Sequence, residues 1–425
     1  MFYRTCGTRV RVALAAVLTV AIVSLAAPAP ASAQSDPNPA ALTLTNAFKA
    51  QPPSGPSVVA AFAEGEGAQQ PATGDSGVLN FFRKTELAGF ADMYFHYNFN
   101  KPATGSFTPL RNFDSQHNQF SFALAELAFI KPATSDDRVG FRLDLDYGPV
   151  ADAVNAFEPA GDVFRNIQQG YISYMAPVGT GLTIDIGKFV TQHGAEVIEA
   201  KDNWNYSRSF LFALAIPYYH MGVRLGYAPN DRVTLGGYVV NGWNNATDNN
   251  SGKTYGLQAI LKPTGSMSIV QNYMGGPEQT DNPDDWRHLS DTTLTYTVND
   301  MFSVMGNYDY GHDSGSDQTW QGLGLYAKAQ VNPNFALIPR IEFLDDKDGF
   351  MSGAAQKLKE FTLTAEVKHT QGLIMRVEYR RDWSDVDFFV DGDGPRPNEN
   401  TFSALRANQN TFSVGFIYAF SSKAP

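Results

Sequence analysis

From Ala88 to Phe420 the chain alternates apolar and polar residues in short runs separated by turns and loops. The clearest run is Arg138 to Gly148. Val139, Phe141, Leu143, Leu145 and Tyr147 point one way; Arg138, Gly140, Arg142, Asp144 and Asp146 point the other. Strict alternation is the signature of a β-strand with unlike faces. In a soluble sheet the apolar face is hidden and the polar face is wet. In a membrane barrel the apolar face meets lipid and the polar one lines a watery lumen. One run cannot separate the two cases, but the number of runs and the order of their connections can.

The same pattern recurs along the chain. Ala91, Met93, Phe95, Tyr97 and Phe99 alternate with Asp92, Tyr94, His96 and Asn98. Between Asn118 and Ile130 the phase changes: Phe120, Phe122 and Leu124 share one face, Leu127 and Phe129 the other, which predicts a bulge between the two sets. Later runs include Leu182–Ile186, Met221–Tyr227, Phe302–Tyr310, Leu337–Phe343, Phe361–Val367 and Phe412–Phe420. The expectation is an all-β, antiparallel, up-and-down transmembrane barrel of about sixteen strands over residues 87–420.

The connections strengthen that expectation. Tight-turn segments such as Lys131-Pro132-Ala133-Thr134, Ala176-Pro177-Val178-Gly179 and Asn332-Pro333-Asn334 alternate with long ones, including Val150–Arg165, Val190–Tyr219, Asp345–Lys359 and Asp385–Asn408. Short periplasmic turns alternating with long external loops are the outer-membrane arrangement. A soluble sandwich has no reason to sort its loops this way.

The N-terminus changes the picture next. Arg4, Arg9 and Arg11 precede an apolar run, Val12–Ala27, and Ala31-Ser32-Ala33 forms a cleavage site. Residues 1–33 therefore read as an export signal, with the mature chain starting at Gln34. Cys6, the single cysteine, leaves with the signal, so no disulfide is expected. Residues 34–86, rich in Ala, Pro and Gly, read as a flexible periplasmic extension ending in a short helix over Val78–Lys84. Residues 421–425 form a tail.

The formal charge is −11. Without the three signal arginines, 29 basic residues face 43 acidic ones, a charge of −14. No basic patch stands out, so nucleic acid is not an expected partner. Aromatics make up 13% of the chain, which suits lipid-facing bands and interfacial girdles.

The connection Val190–Tyr219 is the longest in the barrel and is not simply polar. Trp204, Tyr206, Phe210, Leu211, Phe212, Leu214 and Ile216 let it pack; Glu196, Glu199, Asp202 and Arg208 charge it. Such a loop can fold into the lumen and form a constriction, with Arg208 as the charge opposing the three carboxylates. The competing reading is an external cap. Charges expected to line the lumen are Arg138, Arg142, Asp144, Asp146, Asp185, Arg224, Asp309, Arg340, Glu342, Glu366, Lys368, Arg376, Glu378 and Arg380. Both signs are present, so pairing across strands competes with solute contact.

Two motifs carry other chemistry. His288 and Ser290 share a strand face, as a nucleophile and its base would, but no orienting partner follows. Asp385, Asp387, Asp391 and Asp393 offer oxygens to a calcium ion, yet their spacing is not that of an EF-hand and Gly-Asp pairs are turn material. The scattered histidines give no metal spacing. No catalytic residue, metal or cofactor is expected.

Gly187-Lys188-Phe189, Gly194, Glu196, Tyr206-Ser207-Arg208-Ser209, Pro217, His220-Met221-Gly222-Val223 and Asn241-Gly242-Trp243-Asn244 resemble the OmpL-like β-barrel porin family of Gram-negative bacteria. The resemblance runs over most of Ala88–Phe420. It implies an outer-membrane channel and carries over no catalytic or substrate residue. The chain departs from a plain porin in its long extension and in the residues that follow Phe420, where an assembly signal usually ends on an aromatic.

The expected function is passive diffusion of small hydrophilic solutes through a water-filled barrel in the cell outer membrane, without energy coupling. A selective channel for sugars or organic acids is the first alternative, and a barrel-scaffolded enzyme or adhesin the second. Expected partners are outer-membrane lipid, lipopolysaccharide, the solutes themselves and, from the strand number, two further copies in a homotrimer.

Overall fold

The computed structural model describes residues 77–102, 106–158, 163–369, 371–392 and 405–423. The export signal, the extension up to residue 76 and Asp393 lie outside the described residues. A short helix, α1 (Gly77–Lys84), leads into the first strand. The strands are β1 (Glu86–Asn98), β2 (Gln119–Lys131), β3 (Val139–Tyr147), β4 (Ile167–Ala176), β5 (Leu182–Val190) and β6 (Tyr219–Asn230). There follow β7 (Val233–Val240), β8 (Thr254–Thr264), β9 (Met267–Gln279), β10 (Asn282–Thr297), β11 (Phe302–Asp313) and β12 (Gln318–Asn332). The wall is completed by β13 (Phe335–Asp346), β14 (Gln356–Lys368), β15 (Leu373–Ser384) and β18 (Asn408–Ser421). Between β15 and β18 a two-residue ribbon, β16 (Phe389–Val390) with β17 (Leu405–Arg406), stands apart from the wall.

Each wall strand pairs antiparallel with its neighbours, and β1 pairs with β18 from Ala88↔Ser421 to Asn98↔Thr411. The sheet therefore closes into a 16-strand up-and-down barrel without edges, which is how strands cross a membrane with every backbone group paired. Among the described residues no helix is long and apolar enough to cross one.

The polarity of the wall is inverted relative to a soluble protein. On β3, Val139 and Tyr147 are exposed, whereas Asp144 and Asp146 are fully buried. Ile172, Ile186 and Leu257 are around two-thirds exposed, at 63%, 59% and 66%. A continuous apolar outer surface of this kind needs lipid against it. Tyr255, Tyr273, Tyr296, Phe302, Tyr418 and Phe420 are among the exposed aromatics.

The phase change in β2 is a bulge at Ala123: Asp92 faces Leu124, and Met93 faces Phe122. It lies before Leu124 rather than after it, so Leu124 turns inward and is buried while Phe120 and Phe122 stay outside. Leu124 is inward because helix α2 (Pro149–Val154), part of the connection from β3 to β4, packs on it inside the barrel.

The turn end carries residues 132–138, 177–181, 231–232, 265–266, 298–301, 333–334 and 369–372. The opposite end carries 191–218, 241–253, 347–355 and the described residues of 99–118, 148–166 and 385–407, but also two tight turns, 280–281 and 314–317. There, β9 to β12 continue as ribbons of 12 to 16 residues instead of ending in loops. Asp281 and Asp317 take positive φ in these turns, a conformation short polar residues tolerate.

Candidate functional site

The segment 191–218 enters the barrel and is clasped by the opposite wall. Its root is fixed by neutral contacts. The Thr191 hydroxyl pairs with His220 Nε2 at 3.0 Å, His193 Nε2 meets the Tyr238 hydroxyl at 2.8 Å, and Asn272 Nδ2 donates to Gln192 O at 2.8 Å. Burial, with His220 alongside, pushes the His193 imidazole well below its ordinary range, so it is uncharged. Gly194 takes φ +88°, turning the chain so that Ala195 N–H donates to Asn307 Oδ1 on β11 at 3.1 Å.

Beyond this turn the wall supplies charged groups. Glu196 Oε1 lies 2.7 Å from Arg340 Nη1 on β13, and its other oxygen accepts Ser209 N–H at 2.7 Å. Arg340 also donates to Ser207 O at 2.7 Å and to Glu360 at 2.8 Å. Glu342 accepts Phe210 N–H at 2.7 Å; Glu378 on β15 accepts Tyr206 N–H at 2.8 Å and Ser207 N–H at 3.0 Å. Arg376 donates to Asn203 O and Ala200 O while pairing with Glu366 at 2.6 Å. Arg380 donates to Arg208 O and pairs with Asp382 at 2.6 Å. Wall acids thus take backbone N–H groups and wall arginines take carbonyls. This satisfies a buried stretch that has no sheet partner.

The apolar residues complete the lodging. Phe210, Leu211, Leu214 and Ile216 are fully buried, Leu211 to Ala215 form a π-helical turn, and Trp320 Nε1 on β12 donates to Ala215 O at 3.0 Å. Tyr206 reaches β1, donating to Asp92 at 3.0 Å. Its Cε2 lies where a side chain on Gly415 would stand, so a Cβ there would meet it at 2.3 Å. Burial, with Asp92 beside it, keeps the Tyr206 phenol neutral far above its usual range.

Each expected constriction residue is in this loop. Glu196 is spent on Arg340 and Ser209. Glu199 is buried beside the 3₁₀ turn Ala200–Asp202, and burial pushes its carboxyl up. Asp202 pairs with Lys201 and keeps 31% of its side chain exposed. Arg208 does not reach across an opening. Its guanidinium binds the loop's own carbonyls of Val197, Tyr206 and Ile198 and lies over the Phe113 ring at 5.2 Å. Burial draws its pKa down, but an arginine stays charged.

Of the expected lumen residues, Arg340, Glu342, Arg376, Glu378 and Arg380 come together as the clasp, with Glu366 behind Arg376. The others, Asp146 apart, bond along the wall. Arg142 bonds Asp144 at 2.8 Å, Arg224 bonds Asp185 at 2.8 Å, and Lys368 lies 3.5 Å from Glu366. Asp309 accepts from Asn307 at 3.2 Å, and Arg138 donates to Met175 O at 3.0 Å. Asp146 is buried beside Asp144.

Alternation carries no sign of a second inner segment, which lies within the connection 99–118. Arg111 pairs with Asp114 and donates to Thr411 at 3.2 Å; Asn112 donates to Ala213 O at 3.4 Å. Phe113 packs edge-on to Phe212 at 5.8 Å. Burial raises the Asp114 carboxyl, yet the charge of Arg111 and the bond it makes outweigh that and hold it low. Alternation does not reach these irregular residues. Strand phase alone places Glu360 with Glu366, and Asp382 with Arg380, on the inward face.

His288 and Ser290 sit on the outer face of β10. His288 Nδ1 engages the Tyr273 hydroxyl at 2.8 Å, and Ser290 accepts from Gln271 at 3.2 Å. Asp385 accepts Lys357 N–H at 2.7 Å, and Asp391 pairs with Arg406 at 2.6 Å. Among the described residues no group of three metal-ligating side chains converges.

The family described as "Putative beta-barrel porin-2, OmpL-like" matches residues 84–420. No protein among the curated sequences matches. Among solved structures, the anion-selective porin from Comamonas acidovorans is similar, with 10% identity over 79% of this chain and 99% of that one, at TM-score 0.53. OmpT of Vibrio cholerae, in its trimer form, shares 11% identity over 79% and 99%, at TM-score 0.51. The outer-membrane channel DcaP of Acinetobacter baumannii shares 14% over 79% and 97%, at TM-score 0.50. At these identities the likeness is one of fold.

Proposed function

The chain belongs to the OmpL-like β-barrel porin-2 family and is an outer-membrane porin, and from that premise we propose how its passage is set. Small hydrophilic solutes cross passively beside the inner loop, and the loop fixes the width of the path. The observation that carries this reading is the clasp: a loop bonded to β9, β11, β13 and β15 cannot swing out as an external cap.

The inner side chains that keep solvent contact trace the path. Arg142, Lys201 and Asp202 are 26%, 25% and 31% exposed, and Arg224 is 17% exposed. Buried Glu199 and Glu196 shape the narrow part rather than meeting solute. Charge near a narrow, weakly screened path tunes ion preference. The reading contains no catalytic step and no cofactor. It keeps residues 1–33 as an export signal and 34–86 as a periplasmic extension ending in α1, and it takes the homotrimer as the assembly, as in the OmpT trimer form.

A proteoliposome swelling assay with sugars of rising size tests it. The native chain should show a sharp size limit, and shortening 196–205 should move that limit to larger sugars. An unmoved limit would return the loop to a role outside the path.

A further inference from the structure

The helix α1 precedes the barrel and is not part of its wall. Phe81 and Phe82 are 45% and 61% exposed. The Phe81 ring lies on Phe141 of β3, centroids 5.8 Å apart and planes 2° from parallel. Phe141 belongs to the outward row of β3, with Val139 and Leu143, opposite the inward Arg142 and Asp144. The helix therefore rests on the outside of the barrel, not under its mouth.

Its height is fixed as well. Lys84 Nζ lies 2.9 Å from Asp137 Oδ2, in the turn 132–138, and Lys131 reaches the same carboxylate at 3.0 Å. Lys423 Nζ donates to Lys84 O at 3.4 Å. The end of α1 thus sits at the periplasmic rim, where the tails of β1 and β18 meet. Thr85 closes it by donating its hydroxyl to Phe81 O at 2.9 Å.

We propose that α1 is an interfacial anchor whose Phe81–Phe82 face enters the acyl boundary of the periplasmic leaflet, with Arg83 and Lys84 at the level of anionic glycerophospholipid headgroups. Three observations select lipid as the occupant. The Phe81 ring continues the lipid-facing row of β3 without a gap. Phe82 projects beyond it, edge-on at 5.6 Å, where the barrel offers it no cover. Two basic residues follow at once in the sequence, the arrangement by which short amphipathic helices bind anionic interfaces. A helix of eight residues does not persist alone in water, so docking on the barrel and on lipid is what holds it.

The test uses the full chain in vesicles of phosphatidylethanolamine and phosphatidylglycerol. A nitroxide is placed at Phe82→Cys in a Cys6→Ser background, with Asp300→Cys, on the exposed periplasmic turn 298–301, as the aqueous reference. At position 82 collisions with oxygen should be frequent, and collisions with a water-soluble nickel chelate should be severalfold rarer than at 300. Nickel access equal to that at 300 would overturn the proposal. So would spin–spin broadening between labels, which would place a second copy of the chain on this face. A second reading comes from Phe82→Trp, which keeps an aromatic ring. Acyl-brominated lipid should quench the added fluorescence, and absence of that quenching would also overturn the proposal.

Discussion

Arg340 of β13 and Glu196 of the inner loop form a fully buried ion pair, 2.7 Å from Nη1 to Oε1, that ties the wall of the barrel to the segment crossing its lumen. The guanidinium does more than neutralise one carboxylate. It also bonds Glu360 and the backbone of Ser207. A planar fork of five donors suits such a junction, and a lysine would not.

Arg340→Met is therefore expected to be costly. It leaves Glu196, Glu342 and Glu360 without their shared cation in a dry site. Removing one partner of a buried pair typically costs about 3–5 kcal/mol. Barrel unfolding, followed by heat-modified electrophoretic migration, should shift to lower temperature, and single-channel currents should become noisy as the loop loosens. Arg340→Lys should recover part of the stability but not the quiet current. Native migration and quiet currents in Arg340→Met would mean the pair does not hold the loop.

The assignment of faces is tested by two adjacent residues on β10. Leu294 points outward and is 41% exposed, whereas Thr295 is half-buried on the opposite face, the one that carries Asp291. Leu294→Arg places a cation in hydrocarbon, at about 2–4 kcal/mol near the midplane and less toward the rim. Thr295→Arg faces the lumen and should assemble almost normally. Equal assembly yields for the two variants would show that the faces are exchanged.

The pairing of Arg111 with Asp114 predicts a dependence on acid. The Asp114 carboxyl in the folded chain is held below its ordinary value of 3.8. Its contribution is complete above that ordinary value and is lost as pH falls through the depressed one. Conductance noise should thus rise on acidification below about pH 4, as the segment 99–118 loosens from β18. Asp114→Asn should show that noise already at neutral pH. A noise level independent of pH in the native chain would separate this pair from the segment's fixation.

Much of the wall was legible because a membrane barrel repeats one rule at every second residue. Val139 to Tyr147 reads the same in sequence and in structure, since what meets its outer face, lipid or the Phe81 ring on Phe141, is apolar and its inner face is polar throughout. The rule failed locally where a third element intervened. Leu124 looks lipid-facing by phase with Phe122, but α2 packs on it from within, and the bulge at Ala123 reverses its direction. The tight turns at 280–281 and 314–317 were not anticipated, because long polar strands such as Asn282–Thr297 look like loop in composition.

The inner loop was legible by its length and its aromatic content, but the use of its charges was not. Arg208 resembles a pore charge in sequence; in the structure its donors go to carbonyls of its own loop, two to eleven residues away. Arg376 and Arg380, read as lumen residues, clasp a backbone more than a hundred and seventy residues earlier. Such pairings depend on which backbone groups lack a sheet partner, and alternation carries no information about that.

Whether the clasped loop sets the flux is read from single-channel currents. The native chain and a variant shortened across residues 196–205 are compared in planar bilayers at the same salt. The shortened loop should give a larger unit conductance in a barrel that still migrates as folded, with a shifted reversal potential under a salt gradient. Unchanged conductance and unchanged reversal potential in that folded variant would contradict it.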